Sequence, residues 1–202
     1  TGVCPQAIGY SARLGLYYVA MKYCHDCGNA VTKRIPDGDN RLRFVCDQCE
    51  MIHYQNPRII AGCLPVFEDK VLLCNRAIEP RRGFWTLPAG FLENGETTAD
   101  GALRETVEEA NANAQIHELY TIFSLPHISQ VYMFFRASLL DLDFYAGIES
   151  LDVKLFSESE IPWDNLAFPV INETLQHYFN DRKDDTYPVR YSEIVRPLRK
   201  PS

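Results

Sequence analysis

The sequence predicts an α+β chain in two parts, a small zinc ribbon followed by a larger domain of strands and helices. Three observations predict it. Two C-x2-C pairs stand near the beginning, a strand hairpin follows, and a capped helix with a one-sided acidic face comes next. The 202 residues suffice for one full domain plus a small module. With 46% apolar and 23% charged residues, the composition is globular and excludes disordered and fibrous classes. A formal net charge of -7 opposes binding driven by neutralising phosphate backbones, so no nucleic-acid partner is expected. No run of about 18 apolar residues exists, so no membrane partner is expected either.

Residues 1–20 start at Thr1 and carry a single charged side chain, Arg13. They fit neither a secretory signal nor a transit peptide and are read as a leader or a non-native remnant. The next segment, residues 21–56, is the zinc ribbon. Cys24 and Cys27 form one knuckle, Cys46 and Cys49 the other, with 18 residues between them. A C-x2-C turn lets two thiolates converge on one metal, and the spacing is that of a four-thiolate zinc site. Pro36-Asp37-Gly38-Asp39 marks a turn between residues 31–35 and 42–45, which suits a hairpin. So short a module buries little core, so zinc would supply its folding energy. Four thiolates leave no open coordination position, which makes this metal structural and His25 and His53 bystanders. Disulfides or redox pairs are the competing reading, disfavoured by the paired knuckles in a reducing cytoplasm, the expected location. Of seven cysteines, Cys4, Cys63 and Cys74 remain, the last two in apolar runs as buried hydrophobes.

Residues 57–182 are the main domain. Arg58–Phe67 reads as a strand, Glu68-Asp69-Lys70 as its turn, and residues 71–75 as its partner. A Gly- and Pro-bearing loop at residues 83–96 leads to Thr97, which with Asp100 three residues on opens a helix. On that helix Ala99, Ala102, Leu103, Thr106, Val107 and Ala110 gather on one side at 100° steps, and Glu105, Glu108 and Glu109 on the other. Three carboxylates at i, i+3 and i+4 repel one another, and Arg104 pairing toward Glu108 relieves only part of this. A merely solvated face usually interleaves signs. This one suits a hard divalent cation such as Mg²⁺ or Mn²⁺. Residues 183–202 are polar with three prolines and are read as a loosely docked or mobile tail.

Gly90, five residues, Glu96, seven residues, Arg104-Glu105, two residues, Glu108-Glu109 resembles the Nudix box, G-x5-E-x7-R-E-U-x-E-E-x-G-U. Thr106, Ala112 and Asn111 depart from it at two apolar positions and the final Gly. They touch packing and the helix end rather than the acids, and Asn tolerates the left-handed turn that Gly takes there. The resemblance implies an α/β/α sandwich with a mixed sheet that cleaves a nucleoside diphosphate linked to another moiety. It implies that Glu105, Glu108 and Glu109 bind Mg²⁺ or Mn²⁺, with the Ala89 carbonyl as a further ligand. Glu96 would brace the loop and Arg104 would hold an acid in place. Glu149, before a strand-like segment at residues 151–156, is the candidate for a further metal-binding acid. Asp152, Glu158 and Glu160 are weaker ones.

A zinc ribbon before a Nudix domain resembles two groups. The NADH pyrophosphatases carry an S-Q-P-W-P-F-P-x-S signature, whereas residues 124–130 here read Ser-Leu-Pro-His-Ile-Ser-Gln. The other group contains the plant plastid FAD and ADP-ribose pyrophosphatases and bacterial relatives. The likeness there includes Ile35-Pro36-Asp37-Gly38, Tyr54-Gln55-Asn56-Pro57, Trp85-Thr86-Leu87-Pro88-Ala89-Gly90 and Leu166-Ala167-Phe168. The second implies hydrolysis of FAD to FMN and AMP, or of ADP-ribose to AMP and ribose 5-phosphate. NADH or NAD hydrolysis, nucleoside triphosphates or capped RNA, and a non-catalytic nucleotide sensor remain as alternatives. For an adenine or flavin ring, Trp85 and Phe123 are the leading aromatic contacts, with Phe84, Tyr132 and Phe168 also available, and Gln130 as a polar one. Arg81 and Arg82 could reach phosphates. Relatives of this kind imply a homodimer with a nucleotide as its small-molecule partner.

Overall fold

The computed structural model describes residues 21–195. The readings of residues 1–20, of Cys4 and of residues 196–202 lie outside the described residues. The described chain divides between Gln55 and Asn56 into two units.

In the first unit, β1 (Val31–Arg34), β2 (Arg43–Cys46) and β3 (Ile52–His53) form an antiparallel sheet. Its hairpin sits where the turn signal puts it. Gly38 takes φ 80°, and the Asp39 N–H donates to the Pro36 carbonyl at 3.1 Å. The apolar core is thin, with Phe44 and Val45 as its buried large side chains between the knuckles.

The second unit is built on one mixed sheet. Its strands are β4 (Arg58–Phe67), β5 (Lys70–Arg76), β6 (Trp85–Thr86), β7 (Ala89–Phe91), β8 (Ala114–Leu125), β9 (Gln130–Leu139), β10 (Ser150–Phe156) and β11 (Arg190–Glu193). The order is β10-β5-β4-β9-β8-β11, with β6 on β5 and β7 on β4. The contacts β4–β9 and β11–β8 are parallel, and the others along this order are antiparallel. Helix α1 (Thr98–Ala110) and helix α2 (Pro169–Asp181) cover opposite faces. Alternation along β4 makes this possible. Ala61 and Cys63 pack with Ala102 of α1, while Leu64 packs with Val170, Ile171 and Leu175 of α2. The α/β/α sandwich follows directly from these two clusters.

Helix α1 begins as read. Thr97 is the N-cap and its hydroxyl accepts the Asp100 N–H at 3.1 Å. It ends on Asn111 in the left-handed region, φ 48°, with the Asn111 N–H on the Val107 carbonyl at 2.8 Å. Its inward stripe holds at Ala102, Thr106 and Ala110, which are buried, and departs at two positions: Val107 is 48% exposed and Glu109 is buried. The cause is tertiary: β7 and the segment before β10 cover the Glu105 and Glu109 edge of the acidic side, while Glu108 stays open to solvent.

The expected loose tail is also corrected. Residues 190–193 form β11, an edge strand parallel to β8, so the main domain extends past residue 182. Charge and aromatic contacts hold it. Arg190 is paired with the buried Asp181, which also accepts the Tyr120 hydroxyl at 2.8 Å. Tyr187 stacks on Tyr178 at 6.1 Å, and Arg136 lies 4.0 Å above its ring. Polarity hid these contacts, because they set residues 187 and 190 against α2, β8 and β9, which meet only in the folded sheet.

Candidate active site

The ribbon cysteines converge. The Sγ atoms of Cys24, Cys27, Cys46 and Cys49 all lie within 4.8 Å of one another, the one such metal-ligating group among the described residues. That cage suits a tetrahedral ion with sulfur bonds near 2.3 Å. The N–H groups of Gln48 and Cys49 both reach Cys46 Sγ at 3.4 Å and orient it. His53 is buried and touches His25 through its Nδ1, 3.2 Å from His25 Nε2, so both imidazoles stand beside the cage rather than in it.

The second site forms where α1 crosses β7. Gly90 has no room for a side chain, because a Cβ there would lie 2.2 Å from Glu105 Oε1. Gly62 on β4 is equally required. A Cβ there would meet Ala89 Cβ at 2.4 Å and the Pro88 carbonyl at 2.5 Å. These close approaches set Ala89 and Gly90 directly against the acids. Arg104 organises the set. Its Nε and Nη2 donate to Glu96 at 3.0 and 2.8 Å, and its Nη1 donates to Glu105 at 2.7 Å and Glu108 at 3.0 Å. Nη2 also reaches the Phe91 carbonyl at 3.2 Å. Glu96 in turn accepts the Glu93 N–H at 2.7 Å, which ties the loop to the helix. Arg104 and that N–H hold the Glu96 carboxyl at about 2.

The electrostatics of these acids would favour a cation. Burial pushes the Glu109 carboxyl up to about 8, the charges of Glu105 and Glu149 push the same way, and Arg76 and the Ala89 backbone oppose them. Burial also raises Glu105, where Glu108 and Glu149 add to the rise and Arg104 opposes it. Glu109 Oε2 is buried with no hydrogen-bond partner. A buried carboxylate oxygen without a donor is costly, and a bound cation would remove that cost. The donor set, all oxygen, fits Mg²⁺ or Mn²⁺.

The other sequence-identified residues fall differently. Glu149 stands immediately before β10 and its carbonyl accepts the Ala77 N–H at 2.8 Å. Glu108 is 57% exposed at its side chain, the most open of the box acids in ion pairs. Trp85 is half-buried, edge-on to Phe156 at 4.8 Å, and its carbonyl accepts the Ala167 N–H. Gln130 begins β9, opposite Arg58 and Leu125. Phe123 is corrected: at 1% exposure it belongs to the main core, and its ring has no face left for a substrate. Asp152 pairs with Lys154 at the surface and Glu158 with Arg182, while Glu160 caps a short helical turn through Ser157. An open depression of about 440 Å³ lined by Arg58, Phe91 and Glu93 does not include the acids.

The NUDIX domain family matches residues 56–174, and the family described as Nudix N-terminal, a zinc ribbon, matches residues 22–55. The chain belongs to the Nudix family. A Nudix hydrolase from Nitrosomonas europaea is similar over 86% of this chain and 100% of its own, at 57% identity and TM-score 0.82. The NAD-capped RNA hydrolase NudC of Photorhabdus laumondii is 31% identical over 123 residues, 60% of this chain and 44% of NudC. The chain thus spans less than half the length of that relative. An ADP-ribose pyrophosphatase of Methanocaldococcus jannaschii is 26% identical over 121 residues, 57% of this chain and 69% of that protein.

Reading the motif missed one neighbour of these acids. Arg76 closes β5, acts on Glu109 and Tyr132 through its charge, and lies 5.2 Å from the Phe168 ring. Its Nε donates to the Pro80 carbonyl at 3.0 Å. Strand alternation could have flagged it. It shares parity with Leu72 and Cys74, which pack against Ala110 of α1.

Proposed function

We propose that this Nudix protein is a divalent-cation-dependent pyrophosphatase that hydrolyses the diphosphate of FAD or ADP-ribose. The products would be AMP with FMN or with ribose 5-phosphate, water adding across the P–O–P link. The observation that carries the reading is the buried, partnerless Glu109 oxygen beside Glu105 and within reach of Glu149's charge. Glu105, Glu108, Glu109, Glu149 and the Ala89 carbonyl would hold Mg²⁺ or Mn²⁺, and Cys24, Cys27, Cys46 and Cys49 would hold structural Zn²⁺. When bound, the cation supplies Lewis-acid polarisation and activates water. The chain's own residues do the rest. Arg104 orients Glu105 and Glu108, and Glu96 fixes Arg104 against the loop. Trp85 and Gln130 are the proposed substrate contacts, with Phe168 against Arg76, whose charge reaches Glu109. A cytoplasmic setting with reduced thiols belongs to the same reading.

The likeness to NudC supports a second reading, hydrolysis of an NAD-type diphosphate, free or at an RNA end. It would overturn the expectation of no nucleic-acid partner. One panel separates the two. The protein with Mg²⁺ or Mn²⁺ is incubated with FAD, ADP-ribose, NADH, NAD-capped RNA, diadenosine polyphosphates and nucleoside triphosphates. FAD or ADP-ribose should turn over fastest, and Glu109→Gln should reduce turnover by about 100-fold or more. Cleavage of NADH or capped RNA with FAD and ADP-ribose untouched would refute the substrate assignment. An unimpaired Glu109→Gln would refute the site.

A further inference from the structure

The final glycine of the family motif, its next-to-last position, is Asn111 here. Asn111 keeps the left-handed turn that ends α1. Its side chain adds something a glycine could not. Asn111 Nδ2 donates to the Tyr145 carbonyl at 3.2 Å. Tyr145 N–H donates to the Ala110 carbonyl at 2.9 Å, and Gly147 N–H to the Glu109 carbonyl at 3.0 Å. Carbonyls in the last turn of a helix have no partner within it, so these bonds satisfy groups that would otherwise need water. At Gly147 the approach is extreme: a Cβ would stand 1.8 Å from the Glu108 carbonyl oxygen. Any side chain there must push the segment off the helix.

The segment is held by these bonds more than by burial. Phe144 packs on a core cluster, yet Leu140, Leu142, Tyr145 and Ile148 are exposed, Ile148 by 98%. Two residues after Gly147 comes Glu149. Its carbonyl is bonded to Ala77, and the Ser150 N–H returns to the Gly147 carbonyl at 3.1 Å. The strand that follows therefore starts at a place set from the helix end. The charge of Glu149 acts on both Glu105 and Glu109.

We propose that Asn111 and Gly147 are positioning residues that latch the segment before β10 to the end of α1 and so hold Glu149 beside the α1 acids. The proposal rests on the reading of those acids as a divalent-cation site. It assigns a role to the motif's departure from glycine. That role is to place a ligand carried by another part of the chain.

Mn²⁺ alone is the probe, titrated into the substrate-free full chain with free Mn²⁺ followed by electron paramagnetic resonance. Asn111→Gly keeps the left-handed cap and removes only the side-chain donor. Gly147→Ala adds the clashing methyl. Each should weaken Mn²⁺ binding about 10-fold, as loss of groups that orient ligands does. Neither should weaken it further in a Glu149→Gln background, because both act through Glu149. Thermal melting of Asn111→Gly should stay close to wild type, separating the effect from unfolding. Mn²⁺ affinity unchanged in Asn111→Gly, or a loss that adds fully to that of Glu149→Gln, overturns the latch. Should Glu109→Gln also bind Mn²⁺ normally, the cation-site reading falls and the latch with it. Should Glu109→Gln lose binding while the latch variants do not, only the latch falls.

Discussion

Arg104 grips Glu96 through two hydrogen bonds, Nε at 3.0 Å and Nη2 at 2.8 Å, while its third nitrogen serves Glu105 and Glu108. One guanidinium thus couples the loop before α1 to two acids on it. The planar fork is needed, since an ammonium cannot address both directions at fixed angles. Arg104→Lys should keep the fold and lower kcat about 10- to 100-fold, with a raised requirement for Mg²⁺. Steady-state kinetics over a Mg²⁺ series check this, and a wild-type kcat in the lysine variant would contradict it.

Gly90 and Gly62 should respond differently to alanine. At Gly90 the new methyl meets the end of a flexible side chain, the Glu105 carboxylate. Glu105 can swing aside, so stability should change by less than about 1 kcal/mol while activity falls about 10-fold or more. At Gly62 the methyl meets the Pro88 carbonyl and Ala89 Cβ, part of the neighbouring strand. That clash should cost about 1–3 kcal/mol in stability. Denaturant melts of both variants, paired with activity assays, read the contrast.

Acid should release β11 early. Burial alone would raise the Asp181 carboxyl, but Arg190 and the Tyr120 hydroxyl more than offset it and hold it below the usual range. A depressed carboxylate contributes stability that is complete above its unfolded value of about 4 and is lost as pH falls through the lower folded value. Hydrogen exchange at residues 190–193 should therefore accelerate as pH drops below about 4, after correction for the intrinsic rate. Asp181→Asn should remove most of that pH dependence. Unchanged protection at low pH in the wild type would contradict the assignment.

The ribbon should depend on its metal. With Phe44 and Val45 as its buried large side chains, it has little apolar burial to replace a lost ion. A structural zinc supplies on the order of 10 kcal/mol at neutral pH. Cys46→Ser should lose zinc by elemental analysis and lose the β1–β2 amide protection expected of the wild type. A variant that keeps its ribbon protection without zinc would show that the metal is dispensable.

Legibility in the sequence followed locality. The knuckles Cys24/Cys27 and Cys46/Cys49 lie in one hairpin unit, and Gly90 to Glu109 lie in one loop and helix, so spacing alone groups them. The first long hairpin and the α1 cap depend on neighbours in sequence and were readable for the same reason. Phe123 was not. Strand β8 shifts register between Ile116 and Glu118 and again between Leu119 and Thr121, so simple alternation loses track of which face a side chain takes. Val107 and Glu109 exchanged places for a different reason. A helix alone does not reveal that a strand and a returning segment will cover its charged side.

By itself, then, the sequence determined a thiolate-rich ribbon, a mixed α+β domain, and a run of acids bound to one arginine. The reason is that each rests on residues a few positions apart, where chain geometry leaves little choice. Only the tertiary structure decided that the tail becomes β11, that the charge of Arg76 reaches Glu109, and that Gly147 and Asn111 tie the segment before β10 to the end of α1. Each depends on residues tens of positions apart, and they exist only once β5, β8 and β10 share one sheet with α1 packed on its face.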